Sequence, residues 1–221
     1  PKMITLVVQQ EAANAVSQNI IAEIQGLTRP EDVIVLTAHY DSVEYSTGVY
    51  DNGAGSVILM ALLKHYHDHC PNRTLRFIWC GSEERGLLGS HAYVDTHKED
   101  LKAIRLNLNV DVAGAILGHD SAWCLGPQSL ESMVQTYAAH NGIQLEVKSD
   151  VYSSDEVPFS NQGIPSVSFM RFGEKGANYI HNRHDILRYL SPESLEKTTE
   201  LVLNFLDQLD RSAVFPIERT I

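Results

Sequence analysis

Five short segments of this 221-residue chain carry side chains suited to metal-assisted hydrolysis. His39-Tyr40-Asp41 ends the apolar run VIVLTA, and Asp51-Asn52-Gly53-Ala54-Gly55 precedes a helical pattern. Gly81-Ser82-Glu83-Glu84 follows TLRFIWC, Asn109-Val110-Asp111 closes the alternating run LNLNV, and His181-Asn182-Arg183-His184-Asp185 lies in a late loop. Each has an ordinary reading when taken alone: a polar strand end, an Asx helix cap, solvated glutamates, an aspartate entering a turn, a surface histidine. Taken together they offer more. Period-two geometry puts His39 and Asp41 on one side of a strand, where the carboxylate could orient the imidazole. Two adjacent carboxylates such as Glu83 and Glu84 repel by about 4 kcal/mol at ~4 Å and an effective dielectric of ~20, unless a cation or proton separates them. One can then be a metal ligand and its neighbour a general base. His39, Asp51, Glu84, Asp111 and His181 supply nitrogen and oxygen ligands suited to zinc, with no thiolate. Two divalent cations against three carboxylates and a shared hydroxide leave no net charge. That is the balance of a hydrolytic two-metal site, with ions roughly 3.5–4 Å apart and a water whose pKa falls to about 7.

The elements that must position these residues follow from apolar periodicity. Ile4–Val8, Asn19–Ile24, Val33–Ala38, Thr74–Cys80, Leu106–Val112, Ala122–Leu125, Leu145–Val147 and Ser166–Phe172 are predicted strands. VIVLTA is nearly continuous in apolar residues, as a strand covered on both faces requires. Helices are predicted over Gly53–His69, near Leu87–Thr96, over Leu130–His140 and from the Ser191 cap to about Leu209, with Pro192 opening the last. Strands alternating with helices imply a largely parallel sheet covered by helices. In such sheets ligands gather outside the carboxyl ends of the strands, where most of the five segments fall.

Composition narrows the function. Apolar residues make up 43% and charged residues 20%, an ordinary globular balance for one sizeable domain. With 28 acidic and 17 basic residues the formal net charge is −11, and no basic stripe exists to grip phosphates, so nucleic acid is not an expected partner. No apolar run reaches the roughly 18–20 residues that span a membrane. Cys70, Cys80 and Cys124 contain no C-x-x-C pair, and the last two fall in apolar runs as expected of buried thiols. The sequon Asn72-Arg73-Thr74 is a weak signal by itself.

The ordered set H-x-D, D-N-G-A-G, G-S-E-E, N-x-D and H-x-x-x-D resembles the co-catalytic dizinc aminopeptidases, which include bacterial leucyl aminopeptidase and aminopeptidase Y. The likeness runs from about Asn19 to Leu209 and includes NIIAEIQG and SSDEVPFSNQGIPSVSF. It implies the zinc exopeptidase fold, an α/β three-layer sandwich whose twisted, mostly parallel sheet lies between helices. It also implies two zinc ions and a peptide substrate with a free amino terminus. Asp51 would bridge both metals, with His39 and Asp111 completing one and Glu84 and His181 the other. Glu83 would be the general base, and Asp41 and Asp185 would stand behind His39 and His181. Many relatives have S-D-H-x-P-F where this chain has Ser154-Asp155-Glu156-Val157-Pro158-Phe159, and some have a Tyr where Ile180 stands, with Tyr179 one residue back. Asp155 and Tyr179 are the substrate contacts this alignment suggests. The resemblance implies one catalytic domain over 1–221. Relatives often carry an extra domain upstream, which leaves room for a preceding segment of a longer protein.

Other readings stay open at this point: carboxypeptidase action using Arg171 or Arg183, dipeptide hydrolysis, glutaminyl cyclisation with one zinc, or a binding module without chemistry. The intact D-N-G-A-G and the five ligands favour two-metal hydrolysis. No G-x-G-x-x-G or P-loop lysine pattern supports nucleotide binding.

Overall fold

The computed structural model describes residues 3–9, 13–172 and 179–219. Along the chain run β1 (Ile20–Ile24), β2 (Arg29–His39), α1 (Ala54–Asp68), β3 (Arg73–Cys80), α2 (Leu88–Thr96) and β4 (Ile104–Val110). There follow β5 (His119–Leu125), α3 (Gln128–His140), β6 (Leu145–Lys148), α4 (Glu156–Ser160), β7 (Ser166–Phe172) and α5 (Pro192–Arg211). The strands form one sheet of seven in the order β1-β3-β2-β4-β7-β5-β6. β3, β2, β4 and β7 run parallel side by side, β5 and β6 pair parallel, and β1 on β3 and β5 on β7 are antiparallel.

Why the central strand is apolar on both faces is clear from where its side chains go. Ile34, Leu36 and Ala38 of β2 join the larger core with Leu59 and Leu62 of α1, Val134 of α3 and Phe205 of α5. Val33 and Val35 point the other way, against Tyr93 and Val94 of α2 and Phe159 of α4. The three-layer sandwich is therefore present, with α1, α3 and α5 on one face and α2 and α4 on the other. β4 obeys the same alternation with a different result. Leu106, Leu108 and Val110 face the larger core, while Asn107 and Asn109, both wholly buried, take the opposite side.

The last helix begins as expected: the Ser191 side chain accepts a hydrogen bond from Ser194 N at 3.0 Å, and Pro192 occupies the first helical position. Its buried stripe includes Leu201, Val202, Phe205, Leu206 and Leu209. Cys80 and Cys124 are buried free thiols. No helix among the described residues is long and apolar enough to cross a membrane.

Two expectations differ from the structure. Residues Ile4–Val8 form no strand: Ile4, Leu6, Val7 and Val8 are 75–90% exposed and pair with nothing among the described residues. An apolar alternation makes a strand only where a neighbour completes its hydrogen bonds and covers its apolar face. The short helix α4 was not expected, since five residues containing Pro158 carry no helical period.

Phe205 ties the layers together. Its ring centroid lies 5.1 Å from that of Tyr137 on α3 and 5.4 Å from that of Phe169 on β7, both edge-on. Phe205→Ala removes both contacts and leaves a cavity, so it should cost about 3–5 kcal/mol. Urea unfolding should show this as a lower midpoint at unchanged slope.

Candidate metal centre

Four neighbouring parallel strands end at one edge of the sheet, and each delivers a polar group there. His39 is the last residue of β2, Glu83 and Glu84 form the turn after β3, Asp111 follows β4, and His181 lies beyond β7. Asp51 enters from the turn ahead of α1. The pieces meet closely. His39 Nε2 is 3.1 Å from Asp51 Oδ1 and 3.3 Å from Asp111 Oδ1. His181 Nε2 is 3.2 Å from Asp51 Oδ2 and 2.9 Å from Glu84 Oε2. The two oxygens of Asp51 thus face two separate groups of ligand atoms. Within each group the atoms lie within 4.8 Å of one another, and a third such group joins His39, Glu83 and Glu84.

The surroundings hold these groups by backbone contacts. Asp41 accepts hydrogen bonds from the N–H groups of Glu83 at 3.0 Å and Glu84 at 3.3 Å. Its own carbonyl lies 3.1 Å from His39 Nδ1, which leaves Nε2 free to act as a ligand. Asp185 accepts from Tyr50 N at 2.6 Å and Asp51 N at 3.0 Å. It therefore steadies the segment carrying Asp51, where the sequence placed it behind His181. Asn52 donates to Val110 O at 2.8 Å and accepts from Gly55 N at 3.0 Å, so it staples the start of α1 to the end of β4.

The chain also turns sharply where it presents these candidate ligands. Ser82, Val112 and His181 have φ of 59°, 46° and 60°, the left-handed region that L-residues avoid. Val112 is the costliest of these, being β-branched. It follows Asp111 and is held there by a hydrogen bond from Arg171 N to its carbonyl at 3.0 Å.

Below the ligands lies a buried polar ladder. Thr37 Oγ1 donates to Asn109 Oδ1 at 2.9 Å, and Asn109 Nδ2 lies 3.0–3.1 Å from Ser154, Glu156 and Ser168 side-chain oxygens. Thr37, Asn109 and Ser168 are register partners across β2, β4 and β7. His39 and Asp111 stand two residues further along their strands, on the same face.

The electrostatics point to missing positive charge. Burial pushes Glu83 up to about 9, with Asp111, Asp155 and Glu84 adding to the rise and His39 opposing it. Burial also raises Asp51 and Glu84, with Asp111 adding to the rise at Asp51, Asp51 and Asp41 adding to it at Glu84, and His39 and His181 opposing both. Burial disfavours a charged His39, but Asp111, Asp41 and Asp51 outweigh it and hold the imidazole well above its ordinary value. Glu84 Oε1 is buried and accepts no hydrogen bond among the described residues, and Asp111 Oδ1 has only the His39 imidazole beside it, at 3.3 Å. Unsatisfied buried carboxylate oxygens are expensive, and bound cations would satisfy both. The donor set fits zinc: imidazole nitrogens and carboxylate oxygens converging without thiolates.

A cavity of about 230 Å³ opens over the centre, lined by Asp51, Glu83, Glu84, Asp111 and His181 together with Leu87, Tyr152 and Ser153. Of the two substrate contacts suggested by the sequence, Asp155 is wholly buried and is not part of the cavity lining. Burial raises its carboxyl to about 6, opposed by Ser90. Tyr179 stacks on Tyr189, centroids 4.1 Å apart, and is not part of the lining. Glu156, the residue standing where relatives have His, also turns inward, 3.0 Å from the Asn109 amide. Tyr152 and Ser153, just ahead of these, line the cavity instead. Nothing in their spacing marked them, because they sit in an irregular loop after β6.

With this geometry in view, comparison with known proteins is informative. Residues 19–206 match Peptidase family M28, and the chain belongs to that family. Aminopeptidase YwaD of Bacillus subtilis (strain 168) is 33% identical over 204 residues, covering 86% of this chain and 44% of that protein. Leucine aminopeptidase 2 of Trichophyton rubrum is 32% identical over 165 residues, covering 69% of this chain and 33% of that protein. Among solved structures, BSAP, a zinc aminopeptidase from Bacillus subtilis, superposes with a TM-score of 0.76 at 28% identity over 86% of this chain and 49% of that one. The chain spans less than half the length of these curated relatives.

The contact between α1 and β4 controls where Asp51 sits. A Cβ on Gly55 would meet Val110 O at 2.3 Å and Asn52 Oδ1 at 2.4 Å, so only glycine allows this approach. Gly55→Ala should push α1 away from β4 and displace Asp51. Zinc titration followed by calorimetry should then show at least tenfold weaker binding than in the parent, with most of the secondary structure retained in circular dichroism.

Proposed function

We propose that this chain is the catalytic domain of a zinc aminopeptidase that uses two metal ions. The observation that carries the reading is Asp51, whose two oxygens each approach a different imidazole Nε2, at 3.1 and 3.2 Å. A carboxylate placed so is built to be shared. His39 and Asp111 would hold one cation with Asp51 Oδ1, and Glu84 and His181 the other with Asp51 Oδ2. Zinc is the metal named for the B. subtilis structure. When bound, such ions polarise a carbonyl and lower the pKa of a water from 15.7 to about 7.

The remaining work falls to the protein's own groups. Glu83 lines the cavity beside Glu84 and is not needed as a ligand. It takes the proton of the attacking water and later passes it to the leaving nitrogen. Asp41 holds the backbone of both glutamates and the far side of His39, so it positions the base and a ligand at once. Burial works against its charge, but His39 and the Glu83 and Glu84 N–H groups overcome that and hold its pKa low. With three lining carboxylates given to the cations, Glu83 remains as acidic charge in the cavity that favours a substrate ammonium. A substrate carboxylate would need a cation, yet no Lys or Arg among the described residues lines the cavity. Arg171, considered for that role, spends its guanidinium on Ala115 O at 2.7 Å and Asp120 at 3.1 Å. The expected substrate is therefore a peptide with a free amino terminus, not a free carboxyl end.

A panel of amino-acid amides and their N-acyl counterparts tests this. The free amines should be cleaved and the blocked ones not, and chelator should abolish turnover until zinc is restored. Cleavage of blocked substrates, or full activity after verified metal removal, would refute the reading. Metal bound only to the folded state stabilises it by about 2.7 kcal/mol at a free concentration of 100 Kd. Chelation should accordingly lower Tm by several degrees in a thermal scan.

Glu83→Gln keeps size and hydrogen bonding but loses basicity. It should retain the parent's zinc content while kcat falls roughly 10²–10⁴-fold. Glu84→Gln should instead lose zinc. Elemental analysis and steady-state kinetics on both variants separate the roles, and near-parental turnover by metal-loaded Glu83→Gln would remove the base from the mechanism.

A further inference from the structure

The cavity over the metal centre is dominated by hydrogen-bond acceptors. Four carboxylates face it, three of them assigned above to the cations, and hydrolysis requires a negative charge to grow on the substrate carbonyl oxygen in the same cavity as the fourth, Glu83. Neutral donors near that oxygen would therefore matter. Among the lining residues, the side-chain hydroxyls are those of Tyr152 and Ser153.

Tyr152 differs from the other inward-facing tyrosines. Tyr50 donates to Arg171 O at 2.8 Å, Tyr66 to Asp207 at 2.7 Å and Tyr137 to Leu201 O at 3.0 Å, while the Tyr93 hydroxyl accepts from Arg76 at 2.7 Å. These are the partners that buried phenols normally find. The Tyr152 hydroxyl has no such partner among the described residues, although its ring is held firmly. Trp123 lies edge-on at 5.9 Å and Phe172 at 6.4 Å. The backbone is fixed too: Ser154 N donates to Tyr152 O at 3.1 Å, and the Ser154 hydroxyl accepts from Asn109, two residues before Asp111. A half-buried phenol is thus locked by its ring and its main chain, tied to the strand that delivers a ligand, with its polar end uncommitted.

We propose that Tyr152 is a catalytic residue whose hydroxyl donates a hydrogen bond to the substrate carbonyl oxygen as it becomes an oxyanion. The inference rests on the aminopeptidase reading above. As the water oxygen bonds to the carbonyl carbon, its proton passes to Glu83 and the C=O π pair moves onto the oxygen facing Tyr152. When the C–N bond breaks, that pair restores the carbonyl and Glu83 returns the proton to the leaving amine. Tyr152 keeps its own proton throughout. Its hydrogen bond is strongest at the tetrahedral stage, so it acts on kcat more than on KM.

Tyr152→Phe preserves both ring contacts and removes only the oxygen. With leucine p-nitroanilide and the zinc-loaded chain, kcat should fall roughly 10²–10³-fold, KM should change less than about threefold, and zinc content and Tm should match the parent. A tetrahedral mimic, the phosphonic acid analogue of leucine, should bind the variant more weakly by a similar factor, while leucine itself binds as before. Unchanged kcat, a change confined to KM, or equal weakening of both ligands would overturn the proposal, since each is what a wall of the cavity would give. Loss of zinc or of Tm would overturn it as well, by assigning Tyr152 a structural role. A parent chain inactive on every free-amine substrate would instead fail the aminopeptidase reading, and this inference with it.

Discussion

The structure is organised around a repulsion. Asp51, Glu84 and Asp111 converge with Glu83 on a space only a few ångströms across, in surroundings that exclude much of the water. Each close pair of like charges costs about 4 kcal/mol at ~4 Å and an effective dielectric of ~20. No chain would gather these groups without rigid support from behind or positive charge between them. The support is visible: Asp185 grips the backbone at Tyr50 and Asp51, Asp41 grips it at Glu83 and Glu84, and Asn52 bolts α1 to β4. The left-handed backbone at Ser82, Val112 and His181 belongs to the same bargain, because strained turns aim side chains that relaxed ones would send elsewhere.

That support extends into the core through strand register. In a strand every second residue shares a face, so Thr37 with His39 and Asn109 with Asp111 form two parallel columns. The lower members join across β2, β4 and β7 by side-chain hydrogen bonds, which fixes the heights of the upper members relative to one another. An apolar core could pack equally well after a small slide. A hydrogen-bonded amide held between Thr37, Ser154, Glu156 and Ser168 cannot slide without leaving polar groups unsatisfied. The alternation LNLNV thus has two purposes, with its leucines filling the larger core and its asparagines setting the register of the site.

This separation also explains what the sequence reveals. His39, Asp51, Glu84 and Asp111 are legible because they stand at the ends of strongly periodic strands or before a helix, and their residue types are costly to place without a purpose. The sheet is legible for the same reason, down to the capped start of α5 at Ser191. The contacts of Asp185, by contrast, depend on how the loop carrying His181 folds back, which no spacing reports. Asp155 looks like a free carboxylate in sequence, and only the packing of α4 against β4 shows it to be buried. Tyr152 and Ser153 lie in an irregular loop with no period at all. Ile4–Val8 has a strand's pattern but lacks a strand's partner, a distinction that local sequence does not contain.

The arrangement has a consequence for how chemistry and folding relate. The proposed ligands come from β2, the turn before α1, the turn after β3, the end of β4 and the loop beyond β7, so they converge only when the sheet is assembled. Any cation binding there stabilises the assembled sheet and not its parts. The same positive charge that activates a water would relieve the repulsion among the carboxylates, allowing Glu83 to ionise and serve as a base. In its absence burial and neighbouring carboxylates push that side chain up to about 9, where it would hold a proton at neutral pH and accept none. On the two-metal reading proposed above, metal occupancy and a competent general base would be one event, set by the charge balance around Asp51.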